Sequence, residues 1–361
     1  MPAPQSDSIS AEFLARLPVS PDIYAQKLDV ARELALLVQF DINAYQAASF
    51  LDDRILTPGT KGTWVPIARL VEAARLARDL RPLHFIFHTG HVGSTLVSRL
   101  LDATGHVLSL REPLTLRNLA DAADVLGQPE SLLSASQFDA LLETVLRLWS
   151  RGYDATRSSV VLKATSSAGR LAVRLLAKQE TARAIYLNLQ SEPYLATLLA
   201  GQNSPIDLRG HGPGRMRRLQ ARIGTALTPL HTLSLGELAA MSWLAETWSQ
   251  HDAMREFPER TLALDFDRFL KDVRPSMERV LHHFGLPGDP QYLQEVARNP
   301  VLTRYSKAPE HAYTPEIRAR VLDDSRQHNR EEIRKGLDWL ERLGKADAGV
   351  AAVLNGARDG A

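Results

Sequence analysis

The chain reads LHFIFHTGHVGSTLVSR from Leu83 to Arg99. A short apolar run (Leu83, Phe85, Ile86, Phe87) stops at two glycines, Gly90 and Gly93. Two hydroxyl residues follow, Ser94 and Thr95, and then Leu96, Leu100 and Leu101 recur at helical spacing. That order predicts strand, glycine turn, helix. Such a turn presents backbone N–H groups at the positive end of a helix, where an anion is favoured. Glycine lets the backbone approach a phosphate closely. Ser94 and Thr95 add hydroxyl donors, a role compatible with simple helix capping. The plainer alternative is a glycine turn that only packs. A nucleotide-triphosphate loop keeps four residues between its glycines and a Lys before its last hydroxyl. Here His91 and Val92 alone separate the glycines, and Ser94 stands in the Lys position. An anion with less charge than a magnesium triphosphate is the better match.

Outward from this stretch, five short apolar runs alternate with helical patterns, at 83–88, 107–110, 159–163, 183–188 and 261–266. Continuous apolar strands between helices predict an α/β protein whose mostly parallel sheet of about five strands is covered on both faces. In such a sheet the ligand sits at the carboxyl ends of the strands. Helices are expected over 131–149, 168–178, 235–250 and 274–284, and a loop rich in Gly and Arg over 202–222. Upstream, Leu28, Ala31, Leu34, Leu37 and Val38 recur at helical spacing, as do residues within 39–52 and 65–80. Residues 1–80 are therefore expected to be an N-terminal helical extension, 81–343 the α/β domain, and 344–361 a loose tail.

The chain has 361 residues, with 43 Lys and Arg against 42 Asp and Glu and a formal charge of +1. That balance argues against a dedicated nucleic-acid binder but allows a local basic pocket. The absence of cysteine excludes disulfides, thiolate chemistry and cysteine-ligated zinc. No signal-peptide pattern and no membrane-length apolar run is present, so a cytoplasmic protein is expected. His88 and His91 stand three apart, but no metal site is expected.

Glu112 follows the second apolar run, nineteen residues after Gly93, enough for a helix and a returning strand. A carboxylate at that edge can take a proton from an acceptor; its alternative is an ion pair with Arg111 or Arg117. Lys163 ends the third run, where it can meet developing negative charge or snorkel at the surface. Arg304, Ser306 and Lys307 form a basic, hydroxyl-bearing stretch that suits a phosphate, with His311 and Tyr313 just beyond. His84, His106, Trp243, Trp248 and Trp339 fit packing roles, although Trp243 or Trp248 could line an acceptor pocket.

These residues, in this order, resemble the sulfotransferases that use 3′-phosphoadenosine 5′-phosphosulfate as donor, over roughly 83–343. The resemblance rests on the loop Gly90-His91-Val92-Gly93-Ser94-Thr95, on the leucine-rich helix leading to Glu112, on Lys163 at a strand end, and on LALDFDRFL (262–270) followed by a helix and Phe284-Gly285-Leu286. The spacing is similar to that of tyrosylprotein sulfotransferases. It implies a P-loop-type sheet, a nucleotide donor bound by Gly90–Thr95, a general base at Glu112, a catalytic cation from Lys163 or His91, and closure of the donor site by Arg304, Ser306 and Lys307, with no metal and with an acceptor left open. Two departures stand out. The loop has His91 where the family carries Lys or Arg. The family's Arg and Ser for the 3′-phosphate are missing, leaving Ser191 and Thr197 as the nearest hydroxyls and the arginines of 209–222 as a source of charge. The rival readings are a nucleotide kinase or ATPase, disfavoured by the missing loop Lys, and a non-catalytic nucleotide-binding module.

Overall fold

The computed structural model describes residues 4–359, with side chains over 8–357. All five expected strands are present: β4 (Leu83–His88), β5 (Val107–Arg111), β6 (Ser159–Lys163), β7 (Ala184–Asn188) and β8 (Thr261–Asp265). Every pairing among them is parallel, in the order β5-β6-β4-β7-β8. The first four are buried along their whole length, as expected of strands covered on both sides. Alternate side chains feed two separate cores. Phe85, Phe87, Leu108, Leu110, Val160 and Leu162 face one; Ile86, Val107, Val161, Ile185 and Leu187 face the other. The chain leaves β4 toward β5 on one side and β7 toward β8 on the other. The carboxyl ends of β4 and β7 thus border a switch point, where open α/β sheets bind ligands.

The N-terminal region departs from the expected run of helices. Helices cover Pro4–Arg16, Ile42–Ala47 and Ile67–Arg75, but residues 28–38 form a hairpin. Strands β1 (Ile23–Asp29), β2 (Leu34–Gln39) and β3 (Gly62–Pro66) make an antiparallel sheet. The apolar spacing of 28–38 fitted a helix, yet it spans a reversal. Asp29 Oδ1 accepts the Arg32 N–H at 3.1 Å, and Glu33 takes a left-handed φ of 56°. The sheet packs into the core of the β4 Phe85 face, with Leu37, Val65 and Tyr45 buried there.

Two further expectations are corrected. Residues 202–222 are not a loop but the helix Ser204–Gln220, with Pro213 inside it. Its buried stripe is Leu208, Gly212, Arg215 and Leu219, a true helical spacing hidden because a glycine and an arginine hold two of the inward positions. Nor are residues 344–359 of the tail loose; 360 and 361 lie outside the described residues. Ala348–Asp359 is a helix whose Val350 and Val353 are fully buried, started by Asp347 accepting the Val350 N–H at 3.0 Å. The long helix Leu235–Glu256 runs through the second core and carries Trp243 and Trp248. Among the described residues, no helix is long and apolar enough to cross a membrane.

Candidate active site

The loop after β4 is held by its own strand. Buried His88 donates from Nε2 to the Ala164 carbonyl at 2.9 Å and accepts the Gly90 N–H on Nδ1 at 3.0 Å. Burial, aided by the charges of Lys163 and Lys307, pushes its pKa well below the usual histidine value, so the ring is a neutral post. Three of the next residues are left-handed: Gly90 at φ 103°, His91 at 56° and Gly93 at 68°. Such backbone turns successive N–H groups toward one concavity, an arrangement suited to an anion. His91 accepts that conformation without being a glycine, a strain found mainly where structure serves a site. Gly93 caps the helix Ser94–Asp102, and a Cβ there would lie 2.0 Å from the Phe266 ring. Thr95 is buried, and its hydroxyl has no hydrogen-bond partner among the described residues.

Glu112, the residue after β5, also has a left-handed φ, 52°. Parallel pairing sets Arg111 opposite Lys163, and the Glu112 N–H donates to the Lys163 carbonyl at 2.7 Å. Their side chains meet as well: the Lys163 ammonium donates to Glu112 Oε1 in a buried ion pair. Burial lowers the Lys163 pKa to about 8 against the opposing pull of Glu112. Burial raises the Glu112 pKa, but Lys163 and Lys307 outweigh it, and the carboxylate stays ionised at neutral pH. Neither arginine considered for Glu112 takes it. Arg111 pairs with Asp102 and donates to Ala48 O at 2.8 Å and Ser98 Oγ at 2.9 Å; Arg117 approaches Asp52 at 3.5 Å.

Two chambers open around these groups. The larger, 480 Å³, is bounded by His91–Leu96, by Thr197 and the start of the Ser204 helix, by Phe266, and by Arg304–Lys307. Tyr313 and Arg318 complete it. The smaller, 290 Å³, holds Glu112, Gly90, Phe50, Arg54, Arg117 and Arg215. His91, Asp207 and Lys307 border both. The segment carrying Lys307 is fastened by Arg99, which donates to the Ser306 carbonyl at 2.8 Å and to Ser49 Oγ at 2.9 Å. Arg99 thereby joins the loop helix, the N-terminal region and the basic segment.

The structure therefore gathers His91, Val92, Gly93, Ser94, Thr95, Arg304, Ser306 and Lys307 around one cleft, with Gly90 and Glu112 in the adjoining chamber. It does not bring Lys163 to the cleft wall: the side chain is wholly buried beneath Glu112. His91 keeps open surface, but the cleft walls and then Lys307 push its ring pKa down to about 4. The ring is neutral near pH 7, so of the residues that border both chambers Lys307 carries the positive charge. Ser191 opens the helix Ser191–Leu199 outside the cleft lining, which Thr197 joins instead. Trp243 and Trp248 lie in the core, and Trp243 Nε1 donates to Leu189 O at 2.9 Å. His84 stacks on Phe284 and accepts the Arg183 N–H. Gly285 ends its helix with a left-handed φ of 67°, as the Phe-Gly-Leu stretch implied. Sequence reading missed Phe50, Arg54 and Asp207 as lining residues; it had Arg117 only as an ion-pair partner for Glu112, Arg215 only as one of several arginines offered for the 3′-phosphate, and Phe266 only as part of a strand run. Only Phe266, directly after a strand, carried a positional clue. Among the described residues, no cluster of His, Asp and Glu could hold a metal ion.

No protein-family model matches the chain, and no curated protein matches it by sequence. Solved structures with a similar course of the chain include a sulfotransferase domain from the curacin biosynthetic pathway, at 15% identity over 74% of this chain and 98% of that one, with a TM-score of 0.40. A sulfotransferase from Mycobacterium avium matches at 13% identity over 90% and 96%, with a TM-score of 0.36. Retinol dehydratase in a complex with retinol and PAP matches at 13% identity over 96% of each chain, with a TM-score of 0.37. These are distant likenesses; the function proposed below rests on the residues of this chain.

Proposed function

We propose that the protein is a sulfotransferase that moves a sulfuryl group from 3′-phosphoadenosine 5′-phosphosulfate to a hydroxyl or amine acceptor. The observation that carries this reading is the pair of chambers meeting at His91 and Lys307. One is floored by a left-handed glycine loop with a free threonine hydroxyl, the other holds an ionised glutamate. The donor's 5′-phosphate fits the N–H groups of Gly90–Thr95, with Thr95 Oγ1 as a further donor. Arg304 and Ser306 edge the same chamber and can close over the nucleotide. The sulfonate then lies toward the junction, beside Lys307, whose charge meets the negative oxygens of the transition state.

The step balances simply. The acceptor oxygen forms a bond to sulfur, the bond from sulfur to the phosphate oxygen breaks, and adenosine 3′,5′-bisphosphate departs. Glu112 takes the acceptor's proton. By analogy with phosphoryl transfer, a loose transition state asks little of the base, so a carboxylate held ionised by Lys163 suffices. Lys163 is a positioning residue: it fixes Glu112 and holds its charge. Positioning and electrostatics carry most of the catalysis.

Thermal shift tests the donor reading. Adenosine 3′,5′-bisphosphate near 100 times its dissociation constant should stabilise the fold by about 2.7 kcal/mol, and magnesium ATP should do much less. Tighter binding of magnesium ATP, with hydrolysis, would replace this reading with a kinase or ATPase. Binding of the bisphosphate without any turnover of the phosphosulfate would leave a nucleotide-binding module.

A further inference from the structure

The smaller chamber is unusually rich in cationic groups for a site that must accept a hydroxyl compound. Arg54, Arg117, Arg215 and Lys307 line it, against two carboxylates, Glu112 and Asp207. Behind that wall the charges nearly cancel. Asp52 holds Arg54 at 2.6 Å and Arg117 at 3.5 Å, Lys163 neutralises Glu112, and Glu246 is shared by Arg218 at 3.1 Å and Arg215 at 3.5 Å. Arg218 also reaches Asp124 at 3.9 Å, so these six cations face five carboxylates. The histidines do not alter the sum at neutral pH, since burial lowers the pKa of His88, His91 and His211 alike.

Three polar atoms of this lining also lack a hydrogen-bond partner among the described residues. They are Arg215 Nη1, Thr89 Oγ1 and Thr165 Oγ1. Arg215 is only 4% exposed, and its single carboxylate contact leaves most of its five donors uncommitted. A buried guanidinium with free donors costs stability unless something accepts from it. The volume, 290 Å³, lies at the lower end for ligand pockets. Phe50 forms one wall, with the Arg54 guanidinium 3.3 Å from its ring centre and the Lys307 ammonium 5.7 Å away.

Building on the sulfuryl-transfer reading, we propose that this chamber takes a small acceptor that carries its own anionic group, a phosphate or a carboxylate, in addition to the hydroxyl that is sulfated. Arg215 and Arg117 receive the anion, and the hydroxyl lies near Glu112. Guanidinium groups pair planar or tetrahedral oxyanions with two parallel hydrogen bonds, which fixes the acceptor's orientation as well as its charge. A large apolar acceptor has no place here.

The test is calorimetric titration of the full chain, first with adenosine 3′,5′-bisphosphate alone and then, with that nucleotide saturating, with glycerol 3-phosphate, malonate or glycerol. Saturating nucleotide blocks the larger chamber, so anion binding reports on the smaller one. Saturable binding of glycerol 3-phosphate or malonate, with none of glycerol, is expected, and the stronger of the two probes identifies the anion as phosphate or carboxylate. Arg117→Gln, a partly exposed residue whose partner Asp52 stays paired with Arg54, should weaken that binding at least tenfold. Arg215→Gln should do the same if it folds, and Arg117→Gln keeps the test decisive if it does not. No anion binding, or anion binding indifferent to Arg117→Gln, overturns the proposal and leaves the donor reading standing. Failure of adenosine 3′,5′-bisphosphate to bind overturns the donor reading, and anion binding that depends on Arg117 would still establish the anion site.

Discussion

Replacing Gly93 with alanine tests the loop geometry in quantitative terms. Two costs separate cleanly. Gly93 sits at φ 68°, a conformation that costs an L-residue roughly 1–2 kcal/mol. The added Cβ would also stand 2.0 Å from the Phe266 ring, where carbon atoms settle at about 3.5–4.0 Å. The ring must therefore retreat by roughly 1.5–2 Å, but it is buried and stacked on Phe269 with 6.5 Å between centres. Overpacking of this kind costs about 1–3 kcal/mol. The sum, about 2–5 kcal/mol, is a large part of the usual stability of a folded protein. Urea unfolding of Gly93→Ala, Phe266→Leu and the double variant tests the division. Phe266→Leu should relieve the steric share and leave the backbone share, giving a coupling of about 1–3 kcal/mol in favour of the double variant. Strictly additive losses would refute the placement of Phe266 over the loop.

Glu112→Gln should lower donor turnover by ~10²–10⁴ while leaving affinity for adenosine 3′,5′-bisphosphate nearly unchanged; equal losses in both would deny it the role of base. The same variant strands a buried ammonium, at about 3–5 kcal/mol, and Glu112→Gln/Lys163→Met should recover much of that in urea unfolding. Arg99→Ala frees the segment that carries Lys307 and should cut kcat/KM for the donor by roughly 10–100-fold, read from steady-state kinetics. His84 has its pKa lowered to about 4 by burial, with the charge of Arg183 adding to the effect. Its neutral form is native and its unfolded form protonates near pH 6.5, so its contribution is intact above that pH. Below it, stability should fall by up to about 1.4 kcal/mol per pH unit down to about pH 4. Denaturant midpoints should show a shallower fall in His84→Gln across that window, and an unchanged slope would contradict the assignment.

Much of the architecture could be read from the chain because five short, fully apolar runs admit few structures other than buried parallel strands. The loop was legible for a related reason: Gly90 and Gly93 interrupt one such run directly before a helical pattern. Glu112 and Lys163 were found by their positions at strand ends, yet their mutual ion pair was not foreseen. Nothing in a sequence says that β5 and β6 become neighbours with Arg111 opposite Lys163. The hairpin at 23–39 was misread because Leu34, Leu37 and Val38 fit a helical spacing while β2 buries Ala35, Leu37 and Val38 in a broken alternation, and the decisive Asp29 turn is a single hydrogen bond. In the helix Ser204–Gln220 a buried arginine occupies an inward position, so polarity masked its period. The second chamber drew Phe50, Arg54 and Arg117 from segments remote in sequence from the loop, and only tertiary packing through Arg99 and Arg111 brings the residues after Tyr45 there.

The most direct measurement is a crystal structure of the protein grown with adenosine 3′,5′-bisphosphate. The 5′-phosphate should accept hydrogen bonds from the N–H groups of Gly90–Thr95 and from Thr95 Oγ1, with Lys307 beside it and Glu112 facing it across the junction of the two chambers. A nucleotide bound elsewhere, or bound with its 5′-phosphate turned away from that loop, would contradict the account.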